Sequence, residues 1–109
     1  MKEKTAKRPF EGVNILDFTW TATGPGTLNP LAFFGATVIK VESRNRYDAL
    51  RSLGPFKDGI AEPEHSYAFA YCQAGKRYNI TLNLSNPKGM ELIKKLVQWA
   101  DIVADSYST

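Results

Sequence analysis

A single cysteine (Cys72), a single histidine (His65) and two methionines are all that the 109 residues hold of those types. One cysteine cannot build the internal disulfide framework of a small secreted domain. One histidine without a cysteine cluster leaves no ligand set at metal-site spacing, so no metal is expected. No uncharged apolar run approaches the roughly 18–20 residues that span a bilayer. The start, MKEKTAKRPFEG, is charged and leads into no apolar segment, so it does not read as a secretory signal. Internal repeats and low-complexity tracts are missing too. What remains is a soluble, cytoplasmic domain with no membrane partner.

The chain is 43% hydrophobic and 23% charged, with a formal net charge of +3. That balance is globular rather than disordered. Lys2, Lys4, Lys7 and Arg8, against Glu3 alone, carry the whole excess, and the other residues hold ten cations and ten acids. The basicity is therefore a tail over residues 1–9, not a face of the folded body over residues 10–109. Basic and aromatic residues interleave on no predicted element, which argues against a nucleic-acid partner.

Strand and helix signals alternate. VNILDFTW (residues 13–20) is a β-branched and aromatic run that predicts a buried strand, ended by a turn at Gly24-Pro25-Gly26. LNPLAFF (28–34) predicts a helix, with Pro30 near its start and Gly35 as its C-terminal cap. TVIKVE (37–42) is nearly continuous in apolar character, as parallel strands tend to be. Residues 43–63 form a long irregular stretch, of a length usual only where a loop is functional or mobile. A helix is expected over residues 64–74, a strand over YNITLNL (78–84), and a helix opened by Ser85-Asn86-Pro87. In that last helix Ile93, Leu96, Val97 and Ala100 recur at i, i+3, i+4, i+7. DIVADSY (101–107) predicts a fourth strand. The order predicts an α/β fold: a Rossmann-like open, mostly parallel sheet with flanking helices, its ligand held beyond the carboxyl ends of the strands.

GPGTLN (24–29) meets a dinucleotide fingerprint at its first two glycines and has Asn29 at the third. Glu42, eighteen residues after Gly24, stands where a ribose-binding acid belongs. A glycine turn needed only to enter the helix explains the same residues. Arg44, Arg46 and Arg51, with Lys40, Lys76 and Arg77, form a second group. Guanidinium forks at strand ends suit phosphate, and solvated surface charge is the plainer account. Cys72, among Tyr67, Phe69 and Tyr71, reads as a small buried residue rather than a nucleophile. His65, with Glu62 and Glu64 near it at a helix start, reads as surface. Asp17 lies within a strand without a partner acid, and no triad or dyad is present.

GVNILDFTWTATGP, GATVIKVES, GKRYNITLNL and ADIVADSY, in this order and spacing, resemble the amino-terminal part of the class III coenzyme A transferases. That family (CaiB/BaiF type) includes formyl-CoA:oxalate, carnitine and benzylsuccinate CoA-transferases and the α-methylacyl-CoA racemases. The resemblance runs from Phe10 to the end of the chain. It implies a large Rossmann-like domain closed by the carboxyl-terminal part of a much longer chain, a small domain, and two subunits interlocked like links. It also implies coenzyme A and acyl-CoA as substrates, together with a carboxylic acid acceptor, and a homodimer or a heteromer of related subunits. The family's transferases use an aspartate that attacks the thioester, passing through a mixed anhydride and an enzyme-bound CoA thioester. No acid here aligns with it, so no catalytic residue is assigned.

The same resemblance implies part of a CoA site. Thr21 and Ala22 match the turn after the first strand, near the thioester, with Ala22 replacing a polar residue common in the family. Ser43 stands where the family often has an arginine on the CoA nucleotide, and Arg44 is the nearest substitute. Leu82 matches an apolar residue of the adenine region. Ser106 and Tyr107 match an Asn-Phe pair, and Lys76 the lysine of an Asn-Lys-Arg stretch. Glu42 becomes a structural strand-end acid. The expected activity is CoA transfer by the full-length protein, the 109 residues being an incomplete, inactive part. A racemase and a non-catalytic partner subunit are the alternatives. Trp20, Phe33 and Phe34 are expected in the core.

Overall fold

The computed structural model describes residues 7–67 and 75–108. Four strands, β1 (Asn14–Phe18), β2 (Thr37–Glu42), β3 (Lys76–Thr81) and β4 (Ile102–Asp105), form one sheet in the order β3-β2-β1-β4. All three pairings are parallel, with Asp17 opposite Lys40, Glu42 opposite Thr81 and Phe18 opposite Asp105. Helices α1 (Thr23–Phe33) and α2 (Pro87–Trp99) make two of the crossovers. The α/β architecture read from the sequence is the one observed.

Successive side chains of a strand point to opposite faces, and the two helices use one face each. Ile15 and Val38 pack with Leu28 and Ala32 of α1. Leu16 and Val41 pack with Ile93 of α2, joined by Leu96 and Ala100. Ile15 and Leu16 are both fully buried, as a strand covered on both faces requires. The Asn86 side chain caps α2 by accepting from the Lys88 N–H at 2.9 Å, and Pro87 follows at the position that needs no donor. Val97, placed in the apolar stripe by its spacing, is exposed.

Several boundaries differ from the sequence reading. The Gly24-Pro25-Gly26 segment is not a turn before the helix but its first turn. The first-turn N–H groups of a helix have no intrahelical acceptor, so Pro25 costs no bond there. Gly24 is required because an added Cβ would lie 2.2 Å from Thr19 Cβ, where the end of β1 and the start of α1 touch. Pro30 sits in the interior of α1, not near its start. Gly35, at φ +114°, follows the helix as expected.

The irregular stretch carries three 3₁₀ turns, Ala49–Ser52, Lys57–Gly59 and Pro63–His65. The third replaces the expected start of a helix at Glu64, because Ser66 is extended and bridges to Phe56. The rest of that expected helix, with Phe69, Tyr71 and Cys72, lies outside the described residues. β3 begins two residues earlier than predicted and ends at Thr81, where its partner β2 ends, so Leu82 follows the strand instead of lying in it. β4 is shorter than predicted. Phe33 and Phe34 are not core: they meet edge to face and are 63% and 48% exposed at the end of α1. His65 is half-buried, its Nδ1 enclosed, and so is not the surface residue expected.

Candidate functional site

The carboxyl ends of β1, β2 and β3 open into one cleft of about 280 Å³, bounded by Trp20, Glu42, Ser43, Arg46, Leu82 and Tyr107 among others. Each wall has a local cause. Beyond β2 the chain turns back at once through paired backbone bonds between Ser43 and Arg46. That turn carries the Arg46 guanidinium to 5.2 Å from the centre of the Trp20 ring. Beyond β3, Leu82 N–H donates to the Glu42 carbonyl at 2.9 Å, and residues 82–85 pass across the cleft toward α2. Beyond β4, the Ser106 hydroxyl accepts the Trp20 N–H at 2.9 Å, which ties the fourth strand to the first. Tyr107 stands exposed at the rim.

Two further hollows of about 550 and 400 Å³ adjoin this cleft. Arg44 lines both, with Tyr47 in one and Asn45 in the other. The carboxyl edge is thus a continuous band of aromatic, apolar and cationic surface.

Under that band the α1 face of the sheet turns from apolar to charged. By the strand alternation that puts Ile15 and Val38 beneath α1, Asp17, Lys40, Glu42 and Arg77 share its face. Arg77 forms a fully buried ion pair with Asp17 and also donates to Asn29 Oδ1 at 3.2 Å. Lys40 lies 3.0 Å from Asp48 Oδ2, both side chains being 1% exposed, and donates to the Thr19 carbonyl. Glu42 takes Arg51 Nε at 2.9 Å and Nη2 at 3.1 Å.

Those pairs divide the cationic group seen in the sequence. Lys40 and Arg77 are buried in ion pairs and line none of these hollows, whereas Arg51 pairs with Glu42 and also lines the larger of the two adjoining hollows. Arg44 and Arg46 are the exposed arginines of the band. Lys76 begins β3, opposite Thr37, and so lies at the amino edge, about 16 Å along the strand from Thr81. Of the other residues singled out, Ser43, Leu82 and Tyr107 line the cleft. Ser106, itself exposed, accepts the backbone N–H of Trp20 and is not among the residues lining the cleft. Thr21 and Ala22 stand beside the cleft without lining it, Ala22 as the N-cap of α1 and Thr21 at φ +57°. Glu42 is bound to Arg51, as a structural acid would be. The sequence reading left Trp20 and Asn83 out of the site and did not separate Arg46 from its neighbours. The cue for Arg46 was Asn45, a turn former, in the middle of Ser43–Arg46.

Among the described residues no group of three or more histidine, cysteine or acidic side chains could hold a metal. No helix among them is long and apolar enough to cross a membrane.

The profile of CoA-transferase family III matches residues 10–109. A formyl-CoA:oxalate CoA-transferase of Bradyrhizobium sp. (strain ORS 278) is 39% identical over 100 residues, which cover 92% of this chain and 22% of that protein. The enzyme of the same name from Escherichia coli O6:H1 is 35% identical over 99 residues, covering 91% and 23%. The crystal structure of a CaiB/BaiF family protein from Brucella suis superposes with a TM-score of 0.73 at 29% identity, over 94% of this chain and 26% of that one. The chain spans about a quarter of the length of the proteins it matches.

Proposed function

Because the chain belongs to CoA-transferase family III, we propose that the full-length protein moves coenzyme A from an acyl-CoA donor to a carboxylic acid, and that these residues form one wall of the CoA site. The carrying observation is the cleft at the carboxyl edge of the sheet, with Arg46 stacked on Trp20 and Arg44 beside it. Flat apolar surfaces at Trp20, Leu82 and Tyr107 suit an adenine ring. Guanidinium groups at the same edge suit the phosphates of a nucleotide, which they can engage two oxygens at a time. The adjoining hollows leave room for an elongated ligand instead of a compact one.

The chemistry asks for a carboxylate nucleophile. It attacks the thioester carbonyl, CoA leaves as thiolate, and the thiolate then attacks the enzyme's carbonyl to release the donor acid. The acceptor carboxylate repeats the exchange in reverse. Glu42, Asp48 and Asp17 are each held by a cation, and Asp105 at the end of β4 accepts the Tyr107 N–H. Because no acid here aligns with the aspartate of the family's transferases, we assign the nucleophile to polypeptide beyond these 109 residues, in a protein acting as a dimer of like or related subunits.

The test is transfer by the purified full-length protein, with acyl-CoA donors offered against a panel of carboxylic acids and covalent CoA adducts followed by mass spectrometry. Acyl-CoA consumption with acceptor-CoA formation is the expected result. A full-length protein that binds NAD or FAD but not CoA would overturn the reading. Turnover by the isolated 109 residues would overturn the placement of the nucleophile.

A further inference from the structure

Thr21 occupies the left-handed region at φ +57°, which a β-branched residue adopts only where its surroundings hold it there. The Thr21 hydroxyl donates to the Trp20 carbonyl at 2.7 Å, and the backbone N–H is taken by a carboxylate. Asp48 Oδ1 accepts the Thr21 N–H at 3.1 Å and the Leu50 N–H at 3.0 Å. The other oxygen, Oδ2, faces the Lys40 ammonium, which in turn donates to the Thr19 carbonyl two residues before Thr21. The Asp48 N–H donates to Glu42 Oε2 at 3.3 Å, next to the bond from Arg51.

Asp48 therefore contacts both sides of the cleft from behind. On one side is the β1–α1 turn, which carries Trp20. On the other is the segment after β2, with Glu42, Ser43 and Arg46. Buried ion pairs contribute little net stability, and their best-attested use is to fix one arrangement among several. Asp48 also lines none of the three hollows.

We infer that Asp48 is a positioning residue: by holding Thr21 left-handed against the Lys40 anchor, it sets Trp20 and Arg46 at the separation at which the cleft accepts the CoA nucleotide. The inference rests on the proposed CoA site and adds to it the device that shapes it. Without Asp48, Thr21 relaxes to negative φ and moves Trp20 away from the Arg46 turn. Glycine enters the left-handed region freely, so a glycine at position 21 keeps the turn accessible without the carboxylate.

The experiment is a cycle on the full-length protein, read as the CoA dissociation constant by calorimetry. Asp48→Ala is expected to weaken CoA binding by about tenfold or more, since small misplacements carry penalties of that order. In the Thr21→Gly background the same substitution is expected to weaken it less than threefold. A merely structural Asp48 would lower the melting temperature of both backgrounds and leave the CoA affinity of the folded protein unchanged; that result overturns the inference, as do equal losses in the two backgrounds. Should Asp48→Ala not fold, Asp48→Leu, which fills the space without an acceptor oxygen, is read by the same ratio. A parent protein that binds no CoA instead overturns the functional reading on which the inference stands.

Discussion

Arg77, the second residue of β3, crosses beneath β2 to form a fully buried ion pair with Asp17 of β1, two strands away. The same guanidinium donates to Asn29 of α1, while Asp17 also accepts from the N–H and hydroxyl of Thr19. One pair thus fastens three elements at the point where β1 leaves the sheet for the cleft. Removing one member leaves the other charged in the interior without its counter-ion, which costs about 3–5 kcal/mol. Arg77→Met is expected to destabilise the protein by that order in chemical denaturation. Combining it with Asp17→Asn should cost less than the two single losses together, because the stranded charge is then removed.

Thr19 is held by Asp17 and in turn leaves Gly24 no room for a side chain. A methyl group on Gly24 would lie 2.2 Å from Thr19 Cβ and 2.4 Å from its Oγ1. Both neighbours are fixed, one by a buried carboxylate and the other by the helix, so the strain falls on the β1–α1 junction. Gly24→Ala is expected to lower stability by about 1–3 kcal/mol, the usual cost of overpacking. Thr19→Ser removes the methyl group that stands 2.9 Å away and should relieve a part of that loss when combined with it. Thermal unfolding of the single and double variants measures both.

How far the sequence carried these features depends on the range of the interaction. β2 was legible to the residue, because a buried parallel strand is a continuous apolar run bounded by a glycine and a polar turn. The Asn86 cap and, apart from the exposed Val97, the apolar stripe of α2 were legible for the same local reason. The start of α1 was not, since Gly-Pro-Gly reads as a turn wherever the contact that demands the glycine is out of sight. Lys40, Arg51 and Arg77 looked like ligand-facing cations because their acids, Asp48, Glu42 and Asp17, lie eight, nine and sixty residues away. Parity along TVIKVE held one usable cue: Lys40 and Glu42 fall on the face of Val38, so the side under α1 had to become charged toward the carboxyl end. The cleft's position at that end followed from topology, whereas the stacking of Arg46 on Trp20 depends on a turn geometry that composition does not specify.

That stacking separates the two exposed arginines by role. Arg46 is oriented over a ring at 5.2 Å, whereas Arg44 lines the hollows next to the cleft. A charge-assisted hydrogen bond to a ligand phosphate contributes about 1.5–3 kcal/mol, and its loss together with the stacked cation corresponds to roughly tenfold or more in affinity. Arg46→Ala in the full-length protein is therefore expected to raise the CoA dissociation constant by about that factor. Arg46→Lys should recover only part of it, because an ammonium keeps the charge without the planar fork. Arg44→Ala is expected to weaken CoA as well, and an unchanged affinity would remove Arg44 from the site. Lys95→Ala supplies the control: its side chain is exposed on α2, paired with Glu91 and absent from every hollow of the carboxyl edge. It takes away the same formal charge and should leave CoA affinity unchanged at physiological salt, where exposed charges beyond about 8 Å are screened. Titrating CoA into the four variants by calorimetry decides the matter, and equal affinities for the Arg46→Ala and Lys95→Ala proteins would show that the cleft beside Trp20 is not where the nucleotide binds.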